Sequence, residues 1–167
     1  KIAAVYIMGG AVYVPGNIDG LLPETDNKVA EWNIYADPLA ASEVFASGLP
    51  LYLVPLDATN QVNVTGKDTK AWRKGGSIPN FAANIYDSLM ASWGRDEIEF
   101  WDLMTAEIML NPAHCSFTPL MLEVVTAEGN NEGQTMVVEG EPNVAVCLEP
   151  DTTAIRQGLE DVFSSRK

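Results

Sequence analysis

Asp37-Pro38-Leu39-Ala40-Ala41-Ser42-Glu43-Val44-Phe45-Ala46-Ser47-Gly48-Leu49-Pro50-Leu51-Tyr52-Leu53-Val54-Pro55-Leu56 is the stretch that decides the fold. Asp37 supplies a cap oxygen for the N–H groups at a helix start, and Pro38 at the first helical position has no N–H to lose. Leu39, Ala40, Val44 and Phe45 recur at helical spacing until Gly48 ends the run. Leu51 to Leu56 follows as an apolar run of strand length. Upstream, Ile2-Ala3-Ala4-Val5-Tyr6-Ile7-Met8 is a second such run, closed by Gly9-Gly10, and reads as a core strand of a parallel sheet. Ile2 to Leu56 therefore spells strand, loop, helix, strand. That order predicts a right-handed βαβ crossover and an α/β, Rossmann-like, mostly parallel sheet flanked by helices.

Ligands collect at the carboxyl ends of strands in such sheets. Val14 to Lys28 carries Pro15, Gly16, Asn17, Gly20 and Pro23, and reads as a surface loop, a candidate lid, over that edge. Immediately after it, Ala30-Glu31-Trp32-Asn33 places a carboxylate and a carboxamide two residues apart, a spacing suited to gripping a polyol such as ribose. Asp57 to Gly76 is polar and glycine-broken, which predicts a linker. Pro79 to Trp93 puts Phe81, Ala82, Ile85 and Leu89 on one helical face. Glu97 to Leu110 has helical periodicity through Ile98, Trp101, Met104, Thr105 and Ile108, with Trp101-Asp102 near its start and Asn111-Pro112 at its stop. Phe117 to Val125, Gln134 to Glu139 and Asn143 to Glu149 read as three short strands forming a small β appendage near the carboxyl end. The acidic run from Glu123 to Glu141 reads as solvated turns. Thr152 to Ser165 closes the chain as a helix with Ile155, Leu159, Val162 and Phe163 on one side.

With 167 residues, 47% of them hydrophobic, the chain is long enough to bury one core. Residues 1–167 are expected to form one unit or part of a larger one. A net charge of -13 argues against nucleic-acid polymers and anionic membranes as partners, while permitting a divalent cation held by carboxylates. No apolar run approaches the ~18 residues needed to span a bilayer. Cys115 and Cys147 lie far apart without a C-x-x-C spacing and read as two buried thiols. The strand pattern begins directly after Lys1, so the sequence reads as a fragment or processed chain whose amino-terminal part lies elsewhere.

The ordered set Met8-Gly9-Gly10, Gly16-Asn17, Ala30-Glu31-Trp32-Asn33 with Asp37-Pro38, Leu56-Asp57-Ala58-Thr59 and Trp101-Asp102 resembles the carboxyl-terminal half of the inosine/uridine-type nucleoside hydrolases. The resemblance runs from Ile2 to the final helix. It implies that ribose lies over a calcium ion, that Asn17, Glu31 and Asn33 hydrogen-bond its hydroxyls, that Met8 packs beneath it, and that Asp102 is a calcium ligand. Trp101, where many members carry histidine, resembles the purine-preferring branch, in which an indole stacks on the base. The family's opening aspartate cluster, which supplies the water-activating base and most calcium ligands, has no counterpart here. No catalytic residue is therefore expected in this chain, and hydrolysis is expected only with an amino-terminal companion.

Each of these residues also has an ordinary reading. Glu31 and Asn33 are a common pair before a helix cap, and Asp102 suits a helix dipole. Trp101 and Met8 fit a core. His114, the single histidine, sits a whole helix away from Trp101-Asp102 and is set aside as a general acid. Asp57 and Thr59, at a strand end, read first as capping residues and second as groups that orient backbone near the pocket. Two functions follow: calcium-assisted hydrolysis of ribonucleosides, purines first, by an enzyme complemented by its amino-terminal part and open to homo-oligomer formation, or a non-catalytic sugar-binding or storage remnant. A phosphate-binding flavodoxin-like reading is weaker, because Gly9-Gly10 lacks the helix cap and spacing of a phosphate cradle.

Overall fold

The computed structural model describes residues 1–164; the predicted helix end at Ser165 lies outside them. In chain order the elements are β1 (Val5–Met8), α1 (Ile18–Leu21), α2 (Trp32–Ala36), α3 (Pro38–Phe45), β2 (Leu51–Val54), α4 (Leu56–Thr59), β3 (Asn63–Thr65), α5 (Gly66–Trp72), α6 (Ser77–Trp93) and β4 (Glu97–Glu99). They continue with α7 (Trp101–Leu110), a 3-10 turn (Pro112–His114), β5 (Cys115–Leu120), β6 (Leu122–Val124), β7 (Thr135–Val137), β8 (Val144–Pro150) and α8 (Thr152–Ser164). The backbone divides into two compact units, one formed by Lys1–Thr59 and Cys115–Pro150, the other by Asn60–His114 and the chain from Asp151 onward.

The first unit is built on a four-stranded sheet in the order β1-β2-β8-β5. β1 pairs with β2 and β2 with β8 in parallel, and β5 closes the sheet antiparallel to β8. This is the mixed, mainly parallel α/β sheet that the strand-helix-strand pattern predicts. One face packs Leu51, Leu53, Val144 and Val146 against Ile34, Phe45, Leu122 and Val124, with Leu53 and Val146 fully shielded from solvent. On the other face Tyr6 stacks on Tyr52 at 4.7 Å, and Tyr52 meets Phe117 edge-on at 5.1 Å.

Two expectations change here. The appendage is smaller than the sequence suggests: β6 and β7 form it alone, while β5 and β8 belong to the main sheet. The buried residues of β8, Val144, Val146 and Cys147, give no hint in sequence of which sheet the strand joins. Cys115 and Cys147 are not free thiols; they form a disulfide between β5 and β8 with a Cα–Cα separation of 5.9 Å. Closing the 32-residue separation destabilises the unfolded chain by about 3.7 kcal/mol in the loop-entropy treatment.

The second unit has its own core. Trp72 is surrounded by Phe163, Tyr86 and Phe100 at ring distances of 4.5, 5.6 and 6.3 Å. The supposed linker is ordered: Thr65 and Asp68 form a capping box that starts α5, and β3 pairs antiparallel with β4. Residues 97–99, expected as helix, are strand because Ile98 opposite Val64 is fully buried between an exposed Glu97 and a half-buried Glu99. Helix α7 consequently begins at Trp101, and α6 ends at Gly94 in the left-handed conformation.

Candidate sugar-binding site

The residues singled out around the β1 end are brought together by the first unit. Glu31 is the N-cap of α2 and is 2% exposed. Its Oε1 accepts from the Asn33 N–H at 2.9 Å, and its Oε2 accepts from the N–H groups of Ile34 at 3.1 Å and Gly10 at 3.0 Å. One carboxylate thus caps a helix and ties it to the turn leaving β1. Bonds of this kind, with a charged acceptor, are about twice as strong as neutral ones.

Asn33, exposed, donates from its side-chain nitrogen to the Met8 carbonyl at 3.3 Å and to the Met8 sulfur at 3.2 Å. Asn17 accepts the Trp32 N–H at 2.9 Å through its side-chain oxygen. Glu31, Asn33 and Met8 therefore share one set of hydrogen bonds at the carboxyl end of β1, and Asn17 adjoins it through bonds to the backbone on either side of Glu31. Met8 and Asn33 also line a cavity of about 320 Å³ whose remaining walls are mainly aliphatic, including Val5, Ile7, Ile34 and Val44. Polar character enters it through Asn33 and Asp37, and the latter caps α3 by accepting the Ala40 N–H.

The candidate lid is pinned at its base. Gly16 N–H donates to Lys28 O at 2.8 Å and Asn17 N–H to Ala30 O at 3.1 Å. A side chain at Gly16 would begin 2.0 Å from the Ala30 oxygen, so only glycine allows this approach. Asn27, 1% exposed, accepts from the Val29 and Ala30 N–H groups and donates to Glu132 O at 2.7 Å. The acidic segment expected to be only solvated turns thus buttresses the loop, with Ala30 and Gln134 bridged antiparallel.

In the second unit, Trp101 and Asp102 open α7, whose cap residue Phe100 offers no side-chain bond. Asp102 is exposed, and its charge together with the larger effect of burial pushes the Tyr86 hydroxyl up to about 12. Trp101 is half-buried against Trp93 at 5.9 Å, with its Nε1 shielded and lacking a hydrogen-bond partner among the described residues. His114 Nδ1 lies 2.8 Å from Oε1 of the buried Glu107, which binds Asn111 as well, so the histidine ties the end of α7 to the 3-10 turn. Among the described residues no three acidic, histidine or cysteine side chains stand close enough to hold a metal ion. Asp102 alone does not fit a calcium ion, which takes six to eight oxygens.

Sequence reasoning underrated Asp57. Its two oxygens accept the N–H groups of Val12 at 2.8 Å and Tyr13 at 2.7 Å, across 45 and 44 residues. Its place in Leu56-Asp57-Ala58-Thr59 at a strand end was the available signal, but a long-range acceptor and a local cap look alike in sequence.

The mixed, mainly parallel sheet flanked by helices is an α/β fold shared with solved nucleoside hydrolases. A purine-preferring ribonucleoside hydrolase from Gardnerella vaginalis superposes with a TM-score of 0.83 at 24% identity, covering 96% of this chain and 52% of that one. A plant nucleoside hydrolase gives 0.81 at 25% identity, covering 97% and 54%. In sequence, the pyrimidine-specific ribonucleoside hydrolase RihA of Klebsiella pneumoniae is 30% identical over 177 residues, 99% of this chain and 53% of its own length. The inosine-uridine preferring nucleoside hydrolase family matches residues 1–157, and the chain belongs to that family. It spans about half the length of the curated relatives it matches.

Proposed function

We propose that residues 1–167 are the carboxyl-terminal portion of a single nucleoside hydrolase-like domain. Joined to an amino-terminal companion that carries clustered aspartates, it cleaves the N-glycosidic bond of ribonucleosides, releasing ribose and free base. Water adds to the anomeric carbon as the bond to the base nitrogen breaks, through an oxocarbenium-like sugar. Asn17, Glu31 and Asn33 hold ribose hydroxyls and Met8 packs under the ring. Trp101 stacks on the base and gives a purine lean by area and polarisability. Asp102 would lend one oxygen to a calcium ion whose other ligands the companion would have to supply. Such an ion, when bound, lowers the pKa of its water. The observation that carries this reading is the connected set at the end of β1, in which Asn33 reaches Met8 while Glu31 fixes the turn between them.

The test is a nucleoside assay with inosine and uridine. Expected are no turnover by this chain alone, calcium-dependent turnover with the companion, and faster inosine than uridine cleavage. Robust hydrolysis by the isolated chain overturns the shared-site reading; faster uridine cleavage, in line with the name of the Klebsiella relative, overturns the purine lean. A second reading is a sugar-binding or storage remnant, which keeps the Glu31–Asn33 pair without a metal centre. Intact mass and amino-terminal sequencing of source material separate the two: a stoichiometric companion chain or longer polypeptide supports the enzyme, and this chain as sole product supports the remnant.

A further inference from the structure

Resting on the sugar-holding reading, we propose that Asp57 is a positioning residue: with Glu31 it fastens Gly9–Tyr13 so that Met8, Asn33 and Asn17 meet ribose in one fixed arrangement. The segment leads from Met8 toward Asn17 and has no helix or strand of its own. Its backbone is held from outside instead. Gly10 donates to Glu31 at 3.0 Å and its carbonyl accepts the Leu56 N–H at 2.9 Å; Val12 and Tyr13 donate to the two oxygens of Asp57. Gly10 adopts φ +81°, and a side chain there would begin 3.1 Å from Thr135 Oγ1. The turn is therefore fixed by backbone form at Gly10 and by two carboxylates beyond it.

Asp57 is 9% exposed and bridges successive N–H groups with separate oxygens. Asparagine offers one acceptor and turns an NH2 group toward the second donor, so Asp57→Asn keeps the volume and breaks the clamp. Asp57→Glu keeps both oxygens. Because Asn17 accepts from Trp32 and Asn33 reaches Met8, loosening the segment moves both ends of the sugar-holding set.

In Asp57→Asn, amide exchange resolved by NMR is expected to speed up about ten-fold or more at Val12 and Tyr13, with the core strand amides of Leu53 and Val146 unchanged. The side-chain amide signals of Asn17 and Asn33 shift or broaden, and Asp57→Glu restores most of the protection. In the enzyme assembled with its companion, KM rises about ten-fold while kcat stays within about three-fold, the mark of lost uniform binding. Val124→Ala, a core change in the same unit, leaves the two asparagine signals and KM in place. Unmoved Asn17 and Asn33 signals in Asp57→Asn overturn the proposal, as does Val124→Ala reproducing its changes. The NMR readouts need no turnover, so a silent assay with moved asparagine signals counts against nucleoside hydrolysis and for the role of Asp57.

Discussion

The starts of α2 and α7 each carry an acidic residue singled out from the sequence, and they are built in opposite ways. At α2 the carboxylate of Glu31 is buried and accepts from three backbone N–H groups, one of them 21 residues away. At α7 the cap is Phe100 without a side-chain bond, and Asp102 in the first turn is exposed, felt by its neighbours through charge. The same chemical group thus serves the protein's own backbone in one place and faces outward in the other. Burial decides how much each gives to the backbone: a carboxylate removed from water takes donors at once and offers a sugar hydroxyl only the acceptor capacity beyond those bonds, whereas an exposed one turns its oxygens toward a ligand.

The strongest way to break this contrast is Glu31→Ala. It leaves three N–H groups without their acceptor, each worth about 1–3 kcal/mol when buried, and is expected to destabilise by about 4 kcal/mol in urea unfolding followed by tyrosine and tryptophan fluorescence. A loss below about 1 kcal/mol would show that Glu31 does not hold the turn.

The next effect lies in the second unit. Tyr86 ionises at about 12 in the folded chain against 10.0 ordinarily, chiefly from burial and then from the charge of Asp102. Between these values the unfolded form releases a proton that the folded form keeps, so stability falls as pH rises through that window, by roughly 2–3 kcal/mol in all. Denaturation midpoints measured from pH 9 to 12 should carry this slope, and Tyr86→Phe should flatten it.

Asp102→Asn has the smallest effect on folding, below about 1 kcal/mol from the lost helix-dipole interaction. It also draws the Tyr86 titration back toward its ordinary value, read by ultraviolet absorbance. In the assembled enzyme the calcium needed for half-maximal rate is expected to rise by about ten-fold or more. An unchanged calcium response would remove Asp102 from the proposed ligand set and leave it a surface charge.

The sheet was legible because β1, α3 and β2 announce themselves locally: Pro38 after Asp37 begins the helix, and the runs around Leu53 and Ile7 suit a parallel sheet. Partnership was not legible. Nothing in Asn143–Glu149 tells which sheet receives it, and Cys115 and Cys147 reveal their bond only when β5 lies beside β8. Residues 97–99 continued a helical pattern by accident of Ile98 and Trp101, and pairing with β3 overrode it. At the candidate site, Glu31, Asn33, Met8 and Asn17 were recognisable as types in order, and the structure brings these four together. What sequence could not convey was their mutual use: that Glu31 reaches Gly10, that Asp57 reaches Val12, and that Asn27 reaches Glu132 all depend on separations of 21 residues or more.

The crossing of Gly16-Asn17 with residues 28–30 makes the excursion between them a closed ring whose neck is fixed by hydrogen bonds. Residues 19–26 lie largely exposed above that neck. Their number is consequently uncoupled from the placement of Asn17, and this stretch is where residues can be added or removed, or a foreign peptide grafted, with Asn17 still held against Ala30 and Trp32.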